Sequence, residues 1–242
     1  MLRFIALSLL LLLSGLVHAS DYAREQKWAE EILPAVLVGE PVWLEERGGH
    51  RFLSLYTPAP GAKSAVILGH GIGVHPDWGL IGGLRQSLAD KGYATLSLQF
   101  PVLAADAKAE DYPPTFDAAA ARLARVVDFL KSKGYQRIAI LSHSLGCRMS
   151  YRYLSGSPDA AVVTWVALSS PGTDDWGRLK LPVLDLYGQN DLPAVLKNAP
   201  ARASGLKQAG SRQQLLPDAD HFFEGQDAAL LDAVSAYLAK TL

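Results

Sequence analysis

The chain has 242 residues, is 49% hydrophobic and carries a formal net charge of −1. Length and apolar content suit one large domain with a substantial core. A near-neutral balance without a long run of either sign argues against a nucleic-acid partner, which needs a concentrated basic face.

Residues 1–19 read as a signal peptide. Arg3 supplies a positive start, Phe4 to Val17 is an apolar run, and Val17-His18-Ala19 offers a cleavage signal before Ser20. The run is shorter than the roughly 18 to 20 apolar residues that span a bilayer. The expectation is an exported chain, periplasmic or secreted, with no stable membrane span after cleavage. An uncleaved N-terminal anchor is the alternative. Cys147 is the one cysteine, so no intrachain disulfide can form. It reads as a small packing residue, with a reactive thiol at a helix start as the other reading.

Residues 20–242 read as a single domain. Tyr22 to Leu33 carries apolar positions at Trp28, Ala29, Ile32 and Leu33 and stops at Pro34, which predicts a helical arm with a solvated charged face. Pro41 to Glu45 and Arg51 to Tyr56 read as strands around a Gly48-Gly49 turn. Ala65 to His70 is a continuous apolar run, as in a strand covered on both faces. Leu80 to Lys91 predicts a helix, and Ala94 to Phe100 a strand.

Pro113-Pro114 opens a helix to about Lys133, ended by Gly134. Arg137 to Leu141 is a strand, and a helix follows Ser144 to about Leu154. Strands at Val162 to Ser169, Pro182 to Tyr187 and Ser211 to Leu216 come next, with a final helix from Gln226 to Lys240. Leu192 to Ala209 is helical in composition, and Pro200 predicts a break in it. This alternation implies a mostly parallel sheet with helices on both faces. The connection between the strands at 162–169 and 182–187 is too short for a large cap.

Ser142-His143-Ser144-Leu145-Gly146 lies where a strand passes into a helix. A serine at such a turn is held in the open at the positive end of a helix. Asp191 and His221 each follow a later predicted strand, and ligands of open α/β sheets bind beyond the carboxyl ends of strands. Three strand ends therefore bring a hydroxyl, an imidazole and a carboxylate to one edge. Asp174 and Asp175 are the other carboxylates within reach of that edge. Asp185, inside a strand, reads as structural, and Asp218 and Asp220 as loop-capping or solvated. His143 is expected in the sheet–helix packing and His70 in a structural hydrogen bond. His75 reads as a loop residue. No histidine–carboxylate spacing marks a metal site, and Gly71 and Gly73 lack the Gly-Lys-Ser/Thr of a phosphate loop, so no metal or cofactor is expected.

The Ser, Asp, His order, the turn at Ser144 and the strand–helix alternation resemble the α/β-hydrolase superfamily over nearly all of residues 20–242. His221-Phe222-Phe223-Glu224-Gly225 is similar to the histidine loop of dienelactone-hydrolase-like members. Trp28-Ala29-Glu30-Glu31-Ile32 with Val42-Trp43-Leu44 resembles the exported bacterial family DUF3530. The resemblance implies an α/β-hydrolase fold without a large cap. It implies a catalytic triad of Ser144, His221 and Asp191, with the backbone N–H groups of Ile72 and Leu145 as the oxyanion hole. The usual glycine two residues before the nucleophile is Ser142 here, another small residue.

These readings lead to a serine hydrolase cleaving a small-molecule or cell-envelope carboxylic ester or thioester through an acyl-enzyme. Acyl transfer by the same triad, and a non-catalytic envelope binding protein, are the alternatives. Oligomeric state is not legible in the sequence.

Overall fold

A computed structural model describes residues 20–46 and 48–242. The expected signal peptide lies outside the described residues. Eight strands form one sheet: β1 (Glu40–Glu45), β2 (Arg51–Thr57), β3 (Ser64–Gly69), β4 (Ala94–Leu98), β5 (Arg137–His143), β6 (Val162–Leu168), β7 (Val183–Gly188) and β8 (Arg212–Leu216). The six α-helices are α1 (Tyr22–Ile32), α2 (Gly79–Asp90), α3 (Phe116–Ser132), α4 (Leu145–Leu154), α5 (Pro193–Gly205) and α6 (Asp227–Thr241). The sheet order is β1-β2-β4-β3-β5-β6-β7-β8. β1 and β2 join antiparallel and β3 to β8 run parallel.

The apolar runs of β3 and β5 are continuous because both faces are covered. Ile67, Ile138 and Ile140 enter one core with Leu123, Val126 and Leu130 of α3 and Met149 of α4. Val66, Leu68, Ala139 and Leu141 enter the other with Leu84 of α2 and Val234 and Leu238 of α6. Each such side chain taken fully out of water stabilises the fold by about 1.5–3 kcal/mol. The chain leaves β3 to form β4 on one side and returns to form β5 on the other. That reversal opens a crevice beyond the carboxyl ends of β3 and β5, where open sheets bind ligands. Only a 3-10 turn, Trp176–Arg178, lies between β6 and β7, and no large cap is present among the described residues.

Two expectations are corrected. Pro200 does not break its helix; α5 continues through it. Leu196 and Pro200 both lie exposed, so water can solvate the carbonyl that Pro200 leaves without a donor. Arg202, two residues on, ties the helix down by donating to the Val195 carbonyl and to Asp185.

The charges of α1 are not merely a solvated face. Glu25 is 5% exposed and its Oε2 accepts from Arg122 Nη1 at 3.0 Å. Arg122 also donates through Nε to Glu46 Oε2 at 3.0 Å and through Nη1 to the Gln99 carbonyl at 2.9 Å. The helical spacing of α1 shows which residues share a face, but Arg122 lies 97 positions away and no local pattern announces it.

Replacing Arg122 with Leu leaves two carboxylates buried without their cation. A stability loss of about 3–5 kcal/mol is expected, read as a lower urea midpoint at pH 7. Glu25→Gln in the Arg122→Leu background should recover part of it.

Candidate active site

Ser144 stands between β5 and α4 with φ 55° and ψ −125°, a backbone region that L-residues rarely occupy. The turn is forced by close packing. A Cβ at Gly146 would meet the His70 carbonyl oxygen, so α4 can lie this near the end of β3 only with glycine there. Ser142 also fits. It is fully buried, and its Oγ accepts a 2.8 Å hydrogen bond from the indole N–H of Trp165. The hydroxyl that departs from the family pattern thus has a partner. Cys147 is buried, its Sγ lies 3.1 Å from the Ser142 carbonyl, and burial pushes the thiol up to about 12.

The structure brings Ser144, His221 and Asp191 together. Ser144 Oγ donates to His221 Nε2 at 2.9 Å, and His221 Nδ1 donates to Asp191 Oδ1 at 2.6 Å. Asp191 Oδ1 also accepts from the Leu192 N–H at 2.7 Å. Its Oδ2 accepts from Ser169 Oγ at 2.5 Å and from the Gly188 N–H at 3.2 Å. Burial alone would raise this carboxyl, but the bonds from His221 and Ser169 outweigh it and hold the group below its ordinary value. Asp174 and Asp175 are engaged elsewhere: Asp174 with Arg148 at 3.4 Å, Asp175 capping the turn at Gly177. Asp185 pairs with Arg202, and Asp220 caps the histidine loop by accepting from the Phe222 and Glu224 N–H groups.

Leu145 directly follows the serine, and Ile72 lines the same cavity. Leu145 is the first residue of α4, so its N–H has no intrahelical partner. Ile72 lies in the loop after β3, and a Cβ on Gly71 would come within 3.3 Å of Ser144 Cβ. His70 sets the peptide between Gly71 and Ile72. Its Nδ1 donates to the Gly71 carbonyl at 2.8 Å, while its Nε2 accepts from the Phe100 N–H at 2.9 Å. In a trans peptide C=O and N–H point opposite ways, so holding the Gly71 oxygen turns the Ile72 N–H away from His70. Burial pushes His70 down to about 3, so the ring stays neutral.

His143, Ser169 and Trp165 are contributors that sequence reasoning did not assign to the site. His143 is buried as expected, yet it faces the site. Its Nε2 donates to the His221 carbonyl at 2.8 Å, fixing the backbone of the residue that meets Ser144. Burial, and after it the neighbouring His221, push it down to about 4, so it stays neutral. Ser169 directly follows β6, and the strand-end rule that pointed to Asp191 and His221 would have found it too.

A cavity of about 220 Å³ opens on Ser144 and His221, walled by Ile72, Val74, Trp78, Leu192 and Phe222. Among the described residues, no Lys or Arg lines it. Trp176 is buried in the core beside Trp165 and does not line this cavity. A larger hollow, about 580 Å³ around Asp159, Arg178 and Lys180, lies at the amino end of β6, away from the serine.

The eight-stranded, mostly parallel sheet and the turn at Ser144 define an α/β-hydrolase-fold protein. Solved structures agree on the fold. A dienelactone hydrolase from Anabaena variabilis matches at TM-score 0.69 and 22% identity, covering 84% of this chain and 97% of its own. An esterase from Pyrococcus furiosus matches at 0.67 and 17%, covering 84% and 92%. A lidless serine hydrolase from Xanthomonas campestris matches at 0.64 and 16%, covering 85% and 95%. Residues 19–121 match the model of DUF3530, a protein family of unknown function. No curated protein matches the sequence.

The depressed Asp191 carboxyl stabilises the folded chain in a defined pH window. A folded-state pKa below the unfolded value gives stabilisation that is complete above the unfolded value, about 3.9, and is lost as pH falls through the folded one. Wild type should therefore exceed Asp191→Asn in urea stability at pH 6, and the difference should shrink on acidification below about pH 4. A difference that grows in acid would assign the carboxyl a raised pKa.

Proposed function

We propose that the protein is an exported serine hydrolase that cleaves carboxylic esters or thioesters through an acyl-enzyme on Ser144. The observation that carries this reading is the unbroken chain from Ser144 Oγ to His221 at 2.9 Å and from His221 to Asp191 at 2.6 Å. Export rests on the sequence of residues 1–19.

The chemistry follows from the contacts. His221 Nε2 takes the Ser144 proton as Oγ bonds to the acyl carbon. The carbonyl electrons move onto oxygen, and the N–H groups of Ile72 and Leu145 receive that negative charge. One such donor is worth about 3–4 kcal/mol of transition-state stabilisation. His221 then passes its proton to the leaving oxygen or sulfur as the acyl bond breaks. Water repeats the sequence: His221 takes its proton, its oxygen bonds to the acyl carbon, and Ser144 regains hydrogen as the acid departs. Asp191 holds the ring in the tautomer this requires and stabilises it when charged.

The cavity defines the acyl group that fits. It is apolar and lacks a cation, so a carboxylate on the acyl chain would be buried without a partner. Its volume of about 220 Å³ suits a short acyl chain. The fitting substrate is an ester of a short, neutral, apolar acid.

A fluorophosphonate probe should label the wild-type protein, and Ser144→Ala should abolish labelling; an unchanged Ser144→Ala signal would remove this serine from the mechanism. Asp191→Asn should lower kcat by roughly 10⁴-fold. Among nitrophenyl esters, butyrate and hexanoate should exceed dodecanoate and a succinate half-ester by at least about tenfold in kcat/KM, a difference of about 1.4 kcal/mol. Preference for the succinate half-ester would contradict the uncharged cavity.

A further inference from the structure

The loop that carries Ile72 is held at three successive points. His70 grips the Gly71 carbonyl. Gln99 Nε2 donates to the Val74 carbonyl at 3.3 Å. The grip on Gly73 comes from outside the sheet: Arg24 of α1 donates through Nη2 to the Gly73 carbonyl at 3.1 Å. The other arm of the same guanidinium donates through Nη1 to the Leu103 carbonyl at 2.7 Å, in the segment after β4. A planar fork with fixed donor spacing ties two loops together better than a single flexible ammonium would.

The arm is itself fixed in place. The Asp21 N–H donates to the Val102 carbonyl at 2.6 Å, and the Asp21 side chain caps α1 at the Arg24 N–H. Arg24 lies over the Trp28 ring at 4.4 Å, and Trp28 meets His75 edge-on at 5.8 Å, a second contact between arm and loop. The next residue of α1, Glu25, joins the buried Arg122, which binds the Gln99 carbonyl. The Gln99 side-chain amide in turn packs against His70, with its Nε2 2.9 Å from His70 Nε2. Residues of the arm thus reach both ends of the Gly71–Gly73 segment, directly through Arg24 and by relay through Arg122, Gln99 and His70. Gly73 sits at φ 65°, where glycine is free to move unless something holds it.

We infer that Arg24, carried by the N-terminal arm, is a positioning residue of the hydrolytic site that holds the Ile72 N–H where the oxyanion forms. This rests on the serine-hydrolase reading above. Arg24 touches neither substrate nor Ser144. Its effect is carried by the loop, and displacement of such a donor by about 1 Å can lower a rate by roughly a hundredfold. The role predicts a loss confined to the transition state, whereas a purely structural arm predicts a loss that follows stability.

The test compares Arg24→Ala, Arg24→Gln and Arg24→Lys with Lys27→Ala, which alters an exposed residue of the same helix. Three readouts are taken: kcat and KM on nitrophenyl butyrate, inhibition by butylboronic acid, and thermal midpoint. The boronic acid bonds to Ser144 as a tetrahedral anion with an oxygen in the oxyanion position. Arg24→Ala should lower kcat by roughly ten- to a hundredfold and weaken the boronate by the same factor, with KM within about twofold. Arg24→Lys should recover part of both, and Lys27→Ala should match wild type. If Arg24→Ala fails to fold, Arg24→Gln, which is too short to bridge the Gly73 and Leu103 carbonyls but keeps a polar N–H group on the helix, carries the same expectation. Wild-type kcat and boronate affinity in a folded Arg24 variant would overturn the inference. So would a loss confined to KM or following the thermal midpoint. A wild-type protein that neither hydrolyses ester nor labels with fluorophosphonate would overturn the serine-hydrolase reading itself, and this inference with it.

Discussion

The approach of α4 to the end of β3 is the constraint on which the rest of the site depends. Gly146 lets the helix lie against the His70 carbonyl, and this leaves the Leu145 N–H without a partner beside the serine. The same approach puts the loop after β3 alongside, since β3 and β5 are neighbours in parallel register, with Gly69 opposite Ser142. A side chain at position 146 would push α4 outward and separate the Leu145 and Ile72 amides. The turn at Ser144 and the spacing of the two amides follow from this one packing distance.

Three histidines sit close to this point, and their surroundings divide the work. His70 and His143 are buried and neutral, and each spends one nitrogen on a backbone carbonyl, of Gly71 and of His221. Such bonds fix main chain. Only His221 has a carboxylate on one nitrogen and a hydroxyl on the other. That pairing is the one the proposed general-base role requires. The paired phenylalanines beside it serve two ends. Phe223 is 1% exposed and anchors the loop in the core, while Phe222 is 42% exposed and walls the cavity.

The strands and their order of appearance were legible because buried parallel strands leave unbroken apolar runs, and because turn residues punctuate them. The three residues that meet at the crevice were legible for a related reason: each follows a strand, and parallel strands deliver their carboxyl ends to one edge. What escaped was built from side chains paired across long separations. Arg122 and Glu25, Arg24 and Gly73, and Trp165 and Ser142 have no periodicity to betray them. A charged residue on a short amphipathic helix looks solvated until its partner is known. Pro200 misled in the opposite direction, since a local rule about helices gave way to exposure of the freed carbonyl and to the grip of Arg202.

Backbone strain marks the same edge. Among the described residues, four that are not glycine have positive φ: Ser144, Ser169, Asp218 and Phe223. The first two directly follow β5 and β6, and the last two flank His221 after β8. Each such conformation costs on the order of 1–3 kcal/mol, so none would persist without local compensation. Ser169 has its bond to Asp191, and Phe223 has its place in the core. Ser144 has the seating of α4 on β3. Strain held this way fixes the hydroxyl, the imidazole and the carboxylate in one arrangement, which is the preorganisation that the proposed hydrolysis requires.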